Sequence, residues 1–258
     1  MKISSRGFAG NVLFSLNIFI IFLLVFENVL EVPYWLQAFG RMHPMLLHFP
    51  IVMIMLSMVL EFFRFRQEYI GQQFYQRFTG NLLLIGGLSA AVTVVMGLFL
   101  SKEEGYTGSV LQWHKWTGAG IVFTSSFIYW SRNMRWYKPL VAKAGAILTS
   151  AVLVLAGHFG ATITHGDNFV LAPVSGSRES SVPIEKAVVF DNLVMPIFEK
   201  KCTSCHNPDK VKGKLVLTDM ESILAGGKNG KLFVAGDPAN SLLLQRIHLP
   251  EDEKKHMP

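Results

Sequence analysis

Apolar residues fall in long unbroken runs over the first two-thirds of this chain and in short, interrupted ones over the last third. The runs cover Val12 to Val29, Pro44 to Phe63, Leu82 to Leu100, a weaker stretch from about Val110 to Trp130, and about Leu140 to Phe159. Each approaches the ~20 residues that cross a hydrocarbon core as a helix. The interruptions suit that reading: Gly86-Gly87 permits close helix packing, and Lys143 can extend its head group to the interface. The pattern predicts an all-α fold: a polytopic transmembrane bundle of about five helices over residues 1–171, followed by a small soluble domain. Residues 172–185 turn to Pro, Ser, Gly and charge and read as a solvated linker. The soluble domain then occupies 186–258.

Within that domain, Val189, Leu193, Ile197 and Phe198 fall near one face of a helix running through Phe190 to Phe198, with a bend at Pro196. Lys212 to Leu217 reads as extended, and Asp219 to Ala225 as a short helix ended by Gly226-Gly227. Asp237 and Pro238 read as the cap and first position of a further helix, continued by Ser241 to Ile247. Gly226 to Lys231 resembles a phosphate loop but fails as one. Ala225 stands where its first glycine belongs, and Leu232 where a magnesium-binding Ser or Thr belongs. It is read as a turn-rich loop at a cofactor edge.

A net charge of +6 raises the question of nucleic acid. The basic residues answer it, since they cluster between apolar runs as membrane topology requires. Lys2 and Arg6, then Arg64, Arg66 and Arg77, then Arg132, Arg135, Lys138 and Lys143 occupy alternate connections. The others are poorer: Arg41 in one, Lys102 and Lys115 offset by Glu103 and Glu104 in the next. Positive-inside therefore puts the N-terminus in the cytoplasm and the soluble domain in the periplasm of a bacterial inner membrane. No small-x-small cleavage motif precedes Glu31, so the first helix is read as retained; cleavage would leave the soluble domain outside all the same. Trp35, Trp113 and Trp116 at the outer ends, and Trp130 and Trp136 at the inner ones, fit interfacial belts.

Lys201-Cys202-Thr203-Ser204-Cys205-His206 contains Cys-x-x-Cys-His, the spacing of a covalent haem c site. Cys202 and Cys205 reach the two vinyl groups along one porphyrin edge, and His206 then lies under the iron as proximal ligand. A structural zinc site needs four Cys/His ligands, and the chain has no second Cys pair. A thioredoxin-like pair needs a preceding βαβ pattern, which is absent. The distal ligand is read as Met257, with His248 and His256 as rivals; Met195 and Met220 are read as core.

Five of the eight histidines lie in the membrane half: His43, His48, His114, His158 and His165. On the topology above, all five sit at or just beyond the outer helix ends. Imidazoles there are costly unless paired, so the set is a candidate for a second haem, of b type, or for a quinol site. Capping of helix ends is the plainer alternative, and His43 before Pro44 reads as a helix-start residue. His48 and His158, inside apolar runs, form the favoured pair. His43 and His48 are five residues apart and point to different sides of a helix.

Two resemblances follow from these residues. His43-Pro44-Met45-Leu46-Leu47-His48-Phe49-Pro50, with Gly157-His158-Phe159-Gly160 and Thr164-His165-Gly166, resembles an uncharacterised four-helix bacterial membrane family, domain of unknown function 2231, over roughly residues 40–170. Cys-Thr-Ser-Cys-His, Lys212-Gly213-x-Leu215-x-Leu217, Gly226-Gly227-Lys228-x-Gly230, Gly236-Asp237-Pro238-x-x-Ser241-Leu242-Leu243 and Met257-Pro258, in that order, resemble planctomycete-type cytochrome c. That resemblance implies haem c on Cys202, Cys205 and His206 with Met257 distal. It also implies a final helix after Met-Pro, so a longer chain with further domains beyond Pro258 is expected.

The expectation is a membrane-anchored c-type cytochrome carrying single electrons at the periplasmic face. Its partners are the lipid bilayer and a redox protein or the quinone pool, and nucleic acid is excluded. An accessory or sensor portion of a larger membrane enzyme is the alternative. No nucleophile–base pair or paired carboxylates suit hydrolysis, so catalysis within these residues is not expected.

Overall fold

The computed structural model describes residues 5–103, 105–166, 174 and 187–257. Apart from Val174, the linker expected at 172–185 lies outside the described residues, as do Lys2, Glu104 and Pro258. The chain divides into two units, Met1–Glu103 with Gln112–His158, and Glu104–Leu111 with Phe159–Pro258.

The first unit is built on α6 (Gln73–Leu100), which packs against α1 (Ser5–Val25), α2 (Tyr34–Arg41), α3 (His43–Leu46), α4 (His48–Phe63) and α5 (Gln67–Ile70). Small residues let α6 serve so many partners. Gly86 meets Met53 and Ile54 of α4 so closely that a Cβ there would lie 3.1 Å from Ile54. Ile20, Met58, Leu83, Ala91, Ala119, Val122 and Ile128 form the interior with Ala142 and Ala146 of α8 (Pro139–His165). Outward faces are apolar too: Phe8, Phe14, Ile18, Val52, Leu148 and Val154 are all exposed. An apolar exterior around an apolar core is the surface a helix bundle presents to lipid.

Five spans were expected from run length. Among the described residues, three helices are long and apolar enough to cross a membrane: Gly7–Val25, Gln73–Leu100 and Pro139–His165. Tyr34–Leu46 and His48–Phe63 make a fourth if the pair, bent by 47° at its break, is one span. Pro44 stands in the first turn of α3 and Pro50 in that of α4, positions where a missing N–H is tolerated and where a new helix starts. The weaker fourth run becomes α7 (Ser109–Ser131), which is less apolar because Thr117, Thr124, Ser125 and Ser126 lie along it. The hydroxyls of the first three bond to carbonyls one turn back.

In the second unit, a π-helical turn (Phe190–Val194) leads into α9 (Met195–Lys201). Pro196 cannot donate to the preceding turn, and the hydrogen-bond register widens just before it. β1 (His206–Asn207) pairs antiparallel with β2 (Lys210–Val211), and residues 105–107 add a third extended segment. Val211 N–H donates to the Gly105 carbonyl at 2.6 Å, and Thr107 N–H to that of Asp209 at 3.0 Å.

The stretch expected to be extended from Lys212 is instead a 3-10 turn, Lys212–Lys214, with Gly213 and Lys214 both left-handed; extension resumes at Leu215. α10 (Met220–Ala225) starts as expected, with Asp219 accepting from Ser222 N–H at 2.8 Å. The last helix starts later than expected. Asp237 takes Asn240 N–H and Nδ2 to close a turn, and α11 covers Leu242–Ile247 with Ser241 as its cap position. Phe198, Leu217, Ile223 and Leu232 form the small core, with Met195, Cys202, Leu215 and Leu243 against it. Met220, expected in that core, is exposed.

Candidate functional site

The Cys-x-x-Cys-His segment begins where α9 runs out. Cys202 N–H and Thr203 N–H both bond to the Phe198 carbonyl, and Cys205 and His206 N–H both return to the Cys202 carbonyl, each at 3.1 Å. This tight turn presents two cysteine side chains from one short arc. Both are free thiols of intermediate exposure. Burial, then the neighbouring Cys205, raises the Cys202 pKa. A redox-exchange pair needs the opposite shift, toward thiolate, so the thioredoxin-like alternative loses ground.

His206 is held from both sides of its backbone. Its carbonyl accepts from Leu217 N–H at 2.9 Å, and the Cys205 carbonyl from Lys212 N–H at 3.2 Å. His206 is 8% exposed, and its Nδ1 is buried with no hydrogen-bond partner among the described residues. Burial lowers its pKa, opposed in part by the backbone at Leu215 and Lys212, so the imidazole is neutral at pH 7. Two thiols one turn apart beside a neutral buried imidazole are the donor set that covalent haem attachment uses.

Asn207 is a site residue the sequence reading missed. Its Oδ1 accepts Asp209 and Lys210 N–H at 2.9 and 2.8 Å, and its Nδ2 donates to the Thr203 carbonyl at 2.7 Å. That single buried side chain ties the cysteine turn to the hairpin bearing His206. The signal was available, since Asn-Pro-Asp directly after the histidine is a turn sequence.

Met257 lies exposed after α11, with its N–H 3.3 Å from the Arg246 carbonyl. The rival imidazoles are turned to local backbone: His248 Nδ1 to the Leu244 carbonyl and His256 Nδ1 to that of Leu249, both at 2.7 Å.

The structure regroups the membrane histidines. His48 and His158, the favoured pair, are both exposed on the bundle surface, as is His165 farther along α8. The pair brought together is His43 on α3 and His114 on α7, ring centroids 6.2 Å apart and planes at 87°. His43 Nδ1 bonds the Thr93 carbonyl of α6 at 2.8 Å, and His114 Nδ1 the Ala156 carbonyl of α8 at 2.9 Å. Only a protonated nitrogen can donate to a carbonyl, so in the neutral state both rings carry their proton on Nδ1 and a lone pair on Nε2. Gly97 makes room, because a Cβ there would lie 2.9 Å from two atoms of the His43 ring.

Near the same helix ends Lys115, 7% exposed, meets Glu27 at 2.5 Å, and Arg41 meets Glu103 at 2.9 Å. Two of the three basic residues counted on the poorer side, Arg41 and Lys115, are thus paired with acids. The sequence reading assigned Lys115 to a connection; it stands on α7.

No curated protein and no solved structure matches this chain. The planctomycete cytochrome C family matches residues 202–258, taking in both cysteines, His206 and Met257. Matching residues 41–172, just over half the chain and all five membrane histidines, is the family described as predicted membrane protein DUF2231. The chain is thus a member of the DUF2231 membrane-protein family that carries a planctomycete cytochrome C domain after the bundle.

Proposed function

We propose that this protein is a membrane-anchored c-type cytochrome that passes single electrons at the periplasmic face of a bacterial inner membrane. The observation that carries the reading is the cysteine turn beside a buried, neutral His206, within the span matched by a cytochrome family. Cys202 and Cys205 would hold the porphyrin covalently, and His206 and Met257 would bind its iron. Bound there, haem supplies a one-electron ferric/ferrous couple. The chain supplies the rest: covalent retention, a neutral imidazole and an apolar wall of Phe198, Leu217 and Leu232 that excludes water.

A second site feeds or drains this one, and we place it at His43 and His114. Fixing Nδ1 on a carbonyl so that Nε2 is the free donor is the arrangement found around metal-bound histidines. Among the described residues no three His, Cys, Asp or Glu side chains converge as a metal set. A bare ion would want more protein ligands than two, whereas a haem of b type could be held by His43 and His114 and would supply a second one-electron couple.

The test is a pyridine haemochrome spectrum with haem-to-protein stoichiometry on the purified full chain. Wild type should give c-type and b-type signals. Cys202→Ala with Cys205→Ala should abolish covalent haem staining. His43→Ala or His114→Ala should remove the b signal alone, while His48→Ala and His158→Ala leave it. Covalent haem surviving loss of both cysteines would overturn the first reading. A c-type signal alone in wild type would overturn the second, leaving quinol exchange at the histidines.

A further inference from the structure

The end of the bundle that carries the histidine pair has a recess that neither haem reading uses. It lies between the last turns of α1, the segment that follows them, α2 and the end of α6, and measures about 210 Å³. Gly97, which faces His43, is one residue from Leu98 in its lining. The walls are apolar. Phe19 and Phe22 of α1 stack with ring centroids 6.4 Å apart and planes at 14°, and both are exposed on the bundle surface. Leu23 and Leu98 in the lining are buried, and Leu36 and Phe99 complete it. An apolar cavity of about 150 Å³ is enough to admit a benzene ring. Pockets that enclose a whole drug-sized molecule run to roughly 300–1,000 Å³. The recess therefore has room for one substituted ring and leaves the rest of a larger ligand outside, against the exposed phenylalanines.

Glu27 interrupts the apolar lining. Its Oε2 accepts from Lys115 Nζ at 2.5 Å, and Lys115 is buried, so the ion pair holds the carboxylate in one place. Among the described residues Oε1 accepts no hydrogen bond. The one cation in the lining, Lys102, already donates to the Glu27 backbone carbonyl, and a second acid, Glu31, stands exposed beside it. Two carboxylates and one engaged lysine disfavour an anionic phosphate headgroup. A carboxylate oxygen beside an apolar cavity calls instead for a neutral hydrogen-bond donor.

We propose that this recess binds the head ring of a membrane quinol, with a ring hydroxyl donating to Glu27 Oε1 and the tail lying along Phe19 and Phe22. A quinol combines what the recess asks for: a neutral flat ring, hydroxyl donors at its edge and an apolar tail that keeps it in the bilayer. Aromatic walls suit a flat ring, which they meet edge-on or in offset stacks. A hydrogen bond to a carboxylate is stronger than one to a neutral oxygen. The oxidised quinone has no hydrogen to donate, so the site favours the reduced form. The proposal rests on the bundle lying in a membrane, and it uses neither the cysteine turn nor the histidine pair.

Binding of a tritiated benzoquinol with a ten-carbon tail to the immobilised, detergent-purified full chain tests it. The ligand is supplied reduced, under dithionite, and separately as the quinone, with phosphatidylglycerol as competitor. Wild type should bind the quinol about tenfold more tightly than the quinone. Leu36→Trp fills the recess and should weaken quinol binding at least tenfold, with haem content unchanged as the folding control. Glu27→Gln should remove most of the preference for quinol, because an amide can donate to a quinone as well, and Glu27→Asp should keep part of it. Equal binding of the two redox forms in wild type, or quinol binding untouched in Leu36→Trp, would overturn the proposal. Displacement of the quinol by equimolar phosphatidylglycerol would overturn the assignment in favour of a lipid. Cys202→Ala with Cys205→Ala should bind the quinol as wild type does, so loss of haem c leaves this test standing.

Discussion

Gly97→Ala puts the histidine pair to a test whose sign is informative. An alanine within a helix ordinarily stabilises it relative to glycine by about 0.4–1 kcal/mol, because the unfolded chain loses freedom. At Gly97 the new Cβ would lie 2.9 Å from His43 Cε1 and Nδ1, where ordinary contact begins near 3.4 Å, so the ring must move by half an ångström. The 2.8 Å bond to the Thr93 carbonyl is strained or lost with it. A lost hydrogen bond costs about 0.5–1.5 kcal/mol, and overpacking about 1–3 kcal/mol. The helix gain offsets only part of this, leaving a net loss of about 0.5–4 kcal/mol. Gly157→Ala on α8 is the control, since nothing lies within 4 Å of a Cβ there and only the helix gain applies. Thermal unfolding in one detergent should show Gly97→Ala melting below wild type and Gly157→Ala at or above it. If Gly97→Ala melts with Gly157→Ala, the close approach of His43 to α6 is wrong and the fixed tautomer falls with it.

Two further outcomes rest on charged groups. Glu61→Leu should destabilise the bundle by about 3–5 kcal/mol, because the buried Glu61 carboxylate pairs with Arg64 Nη1 at 3.0 Å and Arg132 Nη2 at 3.1 Å, and both lose it. Adding Arg132→Met should restore part of that loss in the same melting assay, and no recovery would count against the pairing. Asp219→Ala should weaken the cytochrome unit in a pH-dependent way. Ser222 N–H, then the Ser222 hydroxyl, hold the Asp219 pKa below its ordinary 3.8. A depressed acid contributes stability above its unfolded value and loses it as pH falls through the folded one. The difference between wild type and Asp219→Ala should therefore be present at pH 7 and fade below about pH 4. A difference constant with pH would remove Asp219 as the cap.

The bundle was legible because lipid imposes length and apolarity on a span, and runs of that kind survive in sequence. Its ends were less legible. α6 begins at Gln73, well before the apolar run at Leu82, because Thr79 and Gly80 turn inward and need no apolar side chain to be buried. The second run hid a bend, although Pro44 and Pro50 mark both restarts. In the cytochrome unit the capped helix at Met220 was readable from Asp219. The later start of α11 was not, because Asp237 can close a turn or cap a helix from the same local sequence.

The histidines show what kind of inference sequence permits. Run position measures depth along a helix and says nothing of azimuth. His48 and His158 were favoured for their depth, and both turned out to face outward. His43 and His48 in fact stand on α3 and α4, on either side of the bend, so their five-residue spacing fixes no common helix face. Which one faced inward depended on the partner helix, and the chain carried a mark of it in Gly97, where α6 gives up a side chain opposite His43. Charge offered a parallel mark. Glu61 is the lone acid in the apolar run from Pro44 to Phe63, and a carboxylate there requires a cation from a neighbouring element. A polar residue set in an apolar run, or a glycine set opposite one, therefore points to inward faces more directly than the depth of either within the run.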